Sequence, residues 1–520
     1  MLVSKDYIKN DLYRTQDKKR NFNSIRKLYD LAHKSEYTID EQTFEDLNMK
    51  EVFIHLDRTY STAGEEALYS MLRNPIMEEE RLNRRSDLID TFSKDIDLTV
   101  DIRYILFNMT LDKKNSLINM LGTLKSESKL KYYLYSFLGK VVPVVIILLT
   151  IILKDPNFIF ALSCSVFLNI YINNKEENNI NGTGLRYITE LIGAAKKISK
   201  MKNEKIESYT ENMREIIKDL RVIDIGTLTI KWSRLLGGLF QILTVPFLIE
   251  ESTYYKTSRE IKLNEGKILQ LFYLVGEIDA LIAISSFKES NKGAWATPKF
   301  TEETFLKIKN GTHPLIEKPV PNSITLEGKG MVLTGTNMSG KSTFLRMVGT
   351  NILLAQTFNF ALASEYKASF LNIVTSISPK DDINNGKSYY LAEAEAILRI
   401  IKALDKDIPV FCLIDEIFRG TNPIERIASS AEILEYINER DAISVVATHD
   451  REITEILKDQ FDFYYFSEDV DGKKGLVFDY KLKEGISKTK NAIRLLEYIG
   501  YPKEITDKAY TRSESLEHYL

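Results

Sequence analysis

The sequence predicts an α + α/β chain, a long helical region followed by an α/β domain with a mainly parallel sheet. Two patterns carry that expectation. Up to about Ser290, apolar residues recur at helical spacing, as in Glu65–Leu72 and Arg81–Phe92, and no proline precedes Pro75. From about Ala294, the β-rich runs Gly330–Thr334, Val410–Ile414 and Ile443–Ala447 alternate with helical segments, the order that joins parallel strands by crossover helices. With 520 residues, the chain can hold several domains and at least one large core.

Charge and cysteine usage exclude several classes. The net charge is -3 and the pI is near 6.1, so any contact with nucleic acid must come from a local patch. Only Cys164 and Cys412 occur, both in apolar stretches. They make no disulfide framework, and with five scattered histidines they make no zinc spacing. The N-terminus is charged from Lys5 onward and lacks an apolar stretch, so no secretory signal is expected. A reducing cytoplasm suits the bulk of such a chain.

The helical region is interrupted by Val141–Leu153 (VVPVVIILLTIIL), the polar turn Lys154-Asp155-Pro156-Asn157, and Phe158–Ile172 (FIFALSCSVFLNIYI). A third apolar patch, Leu235–Ile249, contains Gly237, Gly238 and Pro246. A membrane-crossing helix needs about 20 apolar residues, and the first run approaches that only from Phe137, with Lys140 snorkelling. Two readings stand: a pair of helices buried in a bundle, or a membrane hairpin. All-round hydrophobicity, the tight polar turn, and Lys125, Lys129, Lys131, Lys140 and Lys175 on the flanks favour the hairpin, with both ends cytoplasmic. The patch at Leu235–Ile249 is a third membrane-contacting segment or a buried helix. The basic run Lys196, Lys197, Lys200, Lys202, Lys205 fits DNA phosphates, anionic lipid or a solvated helix face, and lipid suits it slightly better than duplex DNA.

The α/β region carries the densest chemistry. Strand-like Met331–Thr334 runs into Gly335-Thr336-Asn337-Met338-Ser339-Gly340-Lys341-Ser342, followed by helix-like Thr343–Arg346. This is a complete G-x-x-x-x-G-K-S pattern in its strand–loop–helix setting. Glycines let backbone N–H groups close around phosphates, and the helix N-terminus adds its positive end. Lys341 is expected at the β- and γ-phosphates and the Ser342 hydroxyl on Mg²⁺. The apolar run Val410–Ile414 ends in Asp415-Glu416, which assigns Asp415 to the metal shell and Glu416 to the attacking water as general base. Ile443–Ala447 ends in Thr448-His449-Asp450, placing His449 where it can contact the γ-phosphate. His33, His55 and His518 have no such setting.

These residues resemble the MutS family, whose ATPase is related to the ABC type. Thr334–Thr343, with its Asn337-Met338 pair, looks like that family's phosphate loop; Asp415–Thr421 resembles its Walker B and D-loop segments, and Ala447-Thr448-His449 its histidine switch. Asp381–Tyr389 is similar to its signature loop. The resemblance implies that Ser388 reaches the γ-phosphate held by a second subunit, that Glu393 lies on the following helix, and that the working unit is a homodimer using ATP and Mg²⁺. Gly485–Ala509 looks like its dimerisation tail. Upstream, Leu56–Thr59 with Thr62, Gly64, Leu68, Pro75 and Arg84 is similar to the opening of the family's helical core, and Glu277–Leu281 to its close.

Three departures accompany the resemblance. The mismatch-recognition and connector domains are expected to be missing, and Phe-x-Glu matches at Phe287, Phe300 and Phe466 lie in the wrong context for the family's wedge. Pro319–Asn322 stands where the family offers an aromatic to stack on adenine. The apolar runs fall inside the core, where DNA-binding members carry lever helices and a clamp.

The expected organisation is an N-terminal helical segment (1–49), helical core (50–130), hydrophobic hairpin (131–175), second core or lever part (176–293), ABC-type ATPase domain (294–484) and dimerisation tail (485–520). The function expected from the resemblance is ATP-driven dimer closure on double-stranded DNA, related to mismatch repair or recombination. The alternative is a mechanochemical ATPase held to membrane lipid through 137–172. The expected location is the cytoplasmic face of the cell membrane, or otherwise the cytoplasm.

Overall fold

The computed structural model describes the chain apart from residues 1–3, 16–17, 33, 110, 113–115, 124–128, 181–182, 236–241, 243, 337–338, 379–388, 419–421, 472–474, 487–491 and 518–520. It contains two compact units, each drawn from three stretches: 1–33, 57–70 and 87–289 form one, and 34–56, 71–86 and 290–520 the other. The first 56 residues thus contribute to both.

The first unit is helical. Its last helix, Glu265–Ser290, is buried without a break from Val275 to Lys288, with Leu271, Val275, Ile278 and Leu281 in the core. Gly276 permits close approach, since a Cβ there would collide with the Ala63 carbonyl. One turn on, the Asp279 carboxylate accepts from the Tyr60 and Ser61 amides and the Ser61 hydroxyl. The opening and closing motifs of the helical core therefore meet.

The apolar runs form a helical hairpin, Val142–Leu153 and Asn157–Ile180, turned at Lys154 in a left-handed conformation (φ 52°). Its base is tied down by polar groups. Asn169 donates to the Leu138 carbonyl (3.2 Å) and the Pro246 carbonyl (2.6 Å). Glu176 accepts from Tyr135 (2.7 Å) and Tyr255 (2.6 Å). Beyond Asn169 the apolar side chains stand open: Ile152 is 71% exposed, Phe160 74% and Phe167 71%. Burial in a helical bundle, one of the two expectations, does not hold for 142–168. Glu265–Ser290 is also long and apolar enough to cross a membrane, but its apolar window is 78% buried against 11% for Lys129–Leu153.

Part of Leu235–Ile249 lies outside the described residues. The described end packs at the hairpin base, where a Cβ on Gly139 would strike the Phe247 carbonyl. Of the basic run, Lys196 is paired with Asp224, and Lys205 lies 3.4 Å from Asp87. Those two charges are partly neutralised within the chain, which favours the solvated-face reading for them.

The second unit is α/β. Its strands are β1 (Lys299–Phe300), β2 (Phe305–Gly311), β3 (Asn322–Glu327), β4 (Gly330–Thr334), β5 (Glu365–Ala368), β6 (Asn372–Ser376), β7 (Val410–Asp415), β8 (Ala442–Ala447), β9 (Phe461–Tyr465), β10 (Glu468–Asp471), β11 (Gly475–Phe478) and β12 (Lys483–Glu484). Among the described residues, the main sheet has the order β12-β9-β4-β8-β7-β6, parallel except at β12. Every residue of β4, β6, β7 and β8 is buried, which explains why these strands read as unbroken apolar runs. Helices Tyr389–Ala403 and Pro423–Asn438 cover it through Ile397, Ile400, Leu434 and Ile437.

A second sheet, β1-β5-β2-β3, was not foreseen. Its strands are short and half polar (Phe305–Gly311 reads FLKIKNG), so periodicity carries little signal. Residues 34–56 also join this unit: Asp46 accepts from Thr375 Oγ1 (2.7 Å) and from the Ile377 (2.9 Å) and Ser378 (3.0 Å) amides just beyond β6.

Candidate nucleotide site

The site forms where β4, β7 and β8 end side by side. β4 leads through the glycine-rich loop into helix Lys341–Phe358. Two loop positions require glycine. Gly335 has φ 142°, and a Cβ would approach the Phe466 carbonyl; Gly340, at the helix start, has φ 108° and packs beside Tyr480. With those turns made, the Lys341 ammonium folds back to donate to the Gly335 (2.7 Å) and Thr336 (3.0 Å) carbonyls. Thr336 hydrogen-bonds Glu468, Ser339 is buried, and Thr343 lines the adjoining cavity.

β7 delivers the acids. Register pairs Asp415 with Ala447, and the Glu416 amide donates to the Ala447 carbonyl (2.9 Å). Ser342 Oγ lies 2.5 Å from Asp415 Oδ2. Glu416 adopts a left-handed backbone (φ 63°), uncommon for a non-glycine residue and found where surrounding structure holds a functional side chain in place. His449, just past β8, brings Nε2 within 3.2 Å of Glu416 Oε1 and 3.2 Å of Lys341 Nζ. The next residue, Asp450, is paired with Arg426 (2.5 Å), whose pKa that hydrogen bond raises.

Lys341, Ser342, Asp415, Glu416 and His449 are thus brought together. Asn337, Met338, Ser388 and the 419–421 part of the Asp415–Thr421 motif lie outside the described residues. Glu393 is a buried residue of helix Tyr389–Ala403.

A cavity of about 960 Å³ opens beside these groups, ample for a small-molecule ligand. One end is lined by Lys341, Ser342, Asp415 and Glu416; Pro319, Val320, His313 and Tyr480 also line it. Two residues were missed by sequence reasoning. Tyr480 is remote from the loop in the chain, in a polar stretch without a motif; its φ of 52° and the bond from Asn322 Nδ2 to its carbonyl (3.0 Å) fix its backbone. His313 is 6% exposed and accepts from the Leu315 amide through Nδ1 (3.2 Å), so Nε2 carries the proton. Among the described residues, no protein group meets that Nε2. The His313-Pro314 pair was the available signal.

The donors suit a hard cation held partly by its substrate. Ser342 and Asp415 offer a hydroxyl and a carboxylate in contact, and no cluster of three or more His, Cys, Asp or Glu that could hold a metal occurs among the described residues. Magnesium, bound by one or two protein oxygens plus phosphates and water, matches that set.

The fold and this constellation are those of an α/β ATPase-type domain with a mainly parallel sheet. Residues 331–517 match the family model for MutS domain V. The DNA mismatch repair protein MutS of Fusobacterium nucleatum subsp. nucleatum is 26% identical over 89% of this chain and 56% of its own length. A counterpart from Thermus thermophilus is 23% identical over 90% of this chain and 61% of its own length. That from Fervidobacterium nodosum is 32% identical over 50% of this chain and 32% of its own length. Over these spans the chain is similar to MutS proteins, and the family-model match is confined to the domain V region. The chain spans little more than half the length of the first two relatives.

Proposed function

We propose that this chain is a MutS-like ATPase that binds ATP with Mg²⁺, hydrolyses it, and uses the cycle to close and open a homodimer on double-stranded DNA. The observation that carries the reading is the convergence of Lys341, Ser342, Asp415, Glu416 and His449 at the ends of three parallel strands. Loop amides and Lys341 hold the triphosphate. Ser342 and Asp415 would hold Mg²⁺, which would supply positive charge against the phosphates when bound. Glu416 orients and deprotonates the attacking water. His449, between Glu416 and Lys341, registers the γ-phosphate. The base lies beside Val320 and Tyr480, so an aromatic is available despite Pro319–Asn322. By family resemblance Ser388 completes the site from a second subunit, and the C-terminal helices Ala492–Ile499 and Lys503–Glu517 serve dimerisation. The DNA role rests on the relatives' names. The test is ATP turnover by the purified chain with and without duplex DNA; absence of any turnover refutes the ATPase, and turnover indifferent to DNA refutes the DNA role.

A second reading, a mechanochemical ATPase held at the cytoplasmic face of a membrane without a mismatch-recognition role, is favoured by the exposed hairpin. Retention in carbonate-washed membranes supports it, and a wholly soluble protein removes it.

A further inference from the structure

We propose that the hairpin crosses a lipid bilayer twice, with both helix ends on the side that carries the rest of the chain and the turn Lys154–Asn157 at the far interface. The inference rests on the membrane-anchored reading and adds to it the depth of insertion and the position of the turn.

The pattern of exposure identifies lipid as the partner. A partner helix or second copy needs one apolar stripe. Here Val144, Val145, Leu148, Ile151, Ile152 and Leu153 are all exposed, and Pro143 is the one buried residue of that helix. Most of those positions share one face, but every other residue of the helix except Pro143 is also at least partly exposed, so no side of it is enclosed. No charged residue occurs in 142–153 or 157–174. The hydroxyls of Thr150 and Ser163 are satisfied without water: Thr150 donates to the Ile146 carbonyl (2.8 Å) and Ser163 to the Ile159 carbonyl (3.0 Å). In hydrocarbon every polar group must be met internally.

Polar groups mark where the apolar zone ends. At one end, Glu176 binds Tyr135, Tyr255 and Lys131, and Asn173 donates to Glu251 (2.5 Å). Exposed Tyr133 and Tyr171 lie nearby along the chain, residue types that favour a membrane interface. Lysines 129, 131, 140 and 175 cluster toward this end against Lys154 at the tip, which orients the base toward the cytoplasm and suits anionic headgroups.

Length and the tip charges decide between dipping and crossing. At 1.5 Å per residue, Phe137–Leu153 covers about 26 Å and Asn157–Tyr171 about 22 Å, against a hydrocarbon core of about 30 Å. Closing that mismatch by local thinning costs fractions of a kcal/mol per Å. Leaving Lys154 and Asp155 at mid-depth costs about 2.5–3.5 kcal/mol each, so the tip is better placed in the opposite headgroups.

The test uses the full chain expressed in bacterial cells, with Cys164→Ser as background and Cys412 buried. Single cysteines are placed at Asp155 in the tip and at Lys200 beyond the base, then challenged with a membrane-impermeant maleimide on intact spheroplasts and inverted vesicles. The expected result is carbonate-resistant protein with the Asp155 position labelled from outside only and Lys200 from inside only. Carbonate-resistant protein whose tip is labelled from inside, or from neither side, overturns the crossing while leaving the anchored reading standing. Complete release by carbonate overturns both. The Lys200 control shows whether each variant folds and is reached.

Discussion

Ser61 and Asp279 lie far apart in sequence and in contact in space. Both the amide (2.8 Å) and the hydroxyl (2.6 Å) of Ser61 reach the same carboxylate oxygen. Gly64 lies against that carboxylate, and an added Cβ would overlap it. The contact pins the first turn of the helical core to its last helix. Asp279→Ala should therefore lower unfolding stability by roughly 2–4 kcal/mol, since it leaves buried amides without an acceptor. Urea denaturation followed by circular dichroism measures this; an unchanged midpoint would show that the contact contributes nothing.

His313 gives the ATPase unit a pH dependence of known sign. Burial, with the Arg346 charge adding to it, lowers its pKa to about 4 from 6.5. Between those values the unfolded chain takes up a proton that the folded one refuses. Stability is then greatest above pH 6.5 and falls as the pH drops toward 4, by at most roughly 3 kcal/mol. His313→Gln should flatten this stretch of the stability profile. Denaturation midpoints at half-unit intervals from pH 7 to 4.5 would decide it, and parallel slopes in parent and variant would exclude His313 as the source.

How much of this was legible in the sequence differs by element. β4, β7 and β8 were readable because strands buried on both faces leave continuous apolar runs, and Gly335–Ser342 because phosphate chemistry imposes glycines at fixed spacing. The β1-β5-β2-β3 sheet was not, since its half-polar strands alternate weakly. Nor was the docking of residues 34–56, which depends on Asp46 and backbone amides remote in sequence. Tyr480 escaped for the same reason: cavity walls are assembled by topology. The hairpin's composition was plain, but only the fold shows that its apolar side chains stand exposed rather than buried in a bundle.

Tyr480 carries a prediction about base selectivity. It lines the cavity with Val320, in place of an aromatic at Pro319–Asn322. Tyr480→Ala should weaken ATP binding about 3- to 10-fold, the range expected for an aromatic stacking contact, while Tyr480→Phe should bind as the parent does. Equilibrium titration with a fluorescent ATP analogue reads the effect. Undiminished affinity in Tyr480→Ala would place the base elsewhere in the cavity.

Glu416 and Asp415 are adjacent in sequence but should fail differently when changed. Glu416 contacts His449, whereas Asp415 contacts Ser342. Glu416→Gln preserves shape in a backbone already held at φ 63° and removes only the proton acceptor. ATP affinity should stay within about 3-fold of the parent, while single-turnover hydrolysis slows by about 10²–10⁴-fold, the usual contribution of a general base. Asp415→Asn keeps that base but weakens the oxygen set for the cation, so its turnover should recover in part as Mg²⁺ is raised. The discriminating measurement is the rate against Mg²⁺ concentration for both variants. Recovery of Glu416→Gln at high Mg²⁺ would assign it to the metal rather than to the water, and a flat response in Asp415→Asn would remove Asp415 from the cation site.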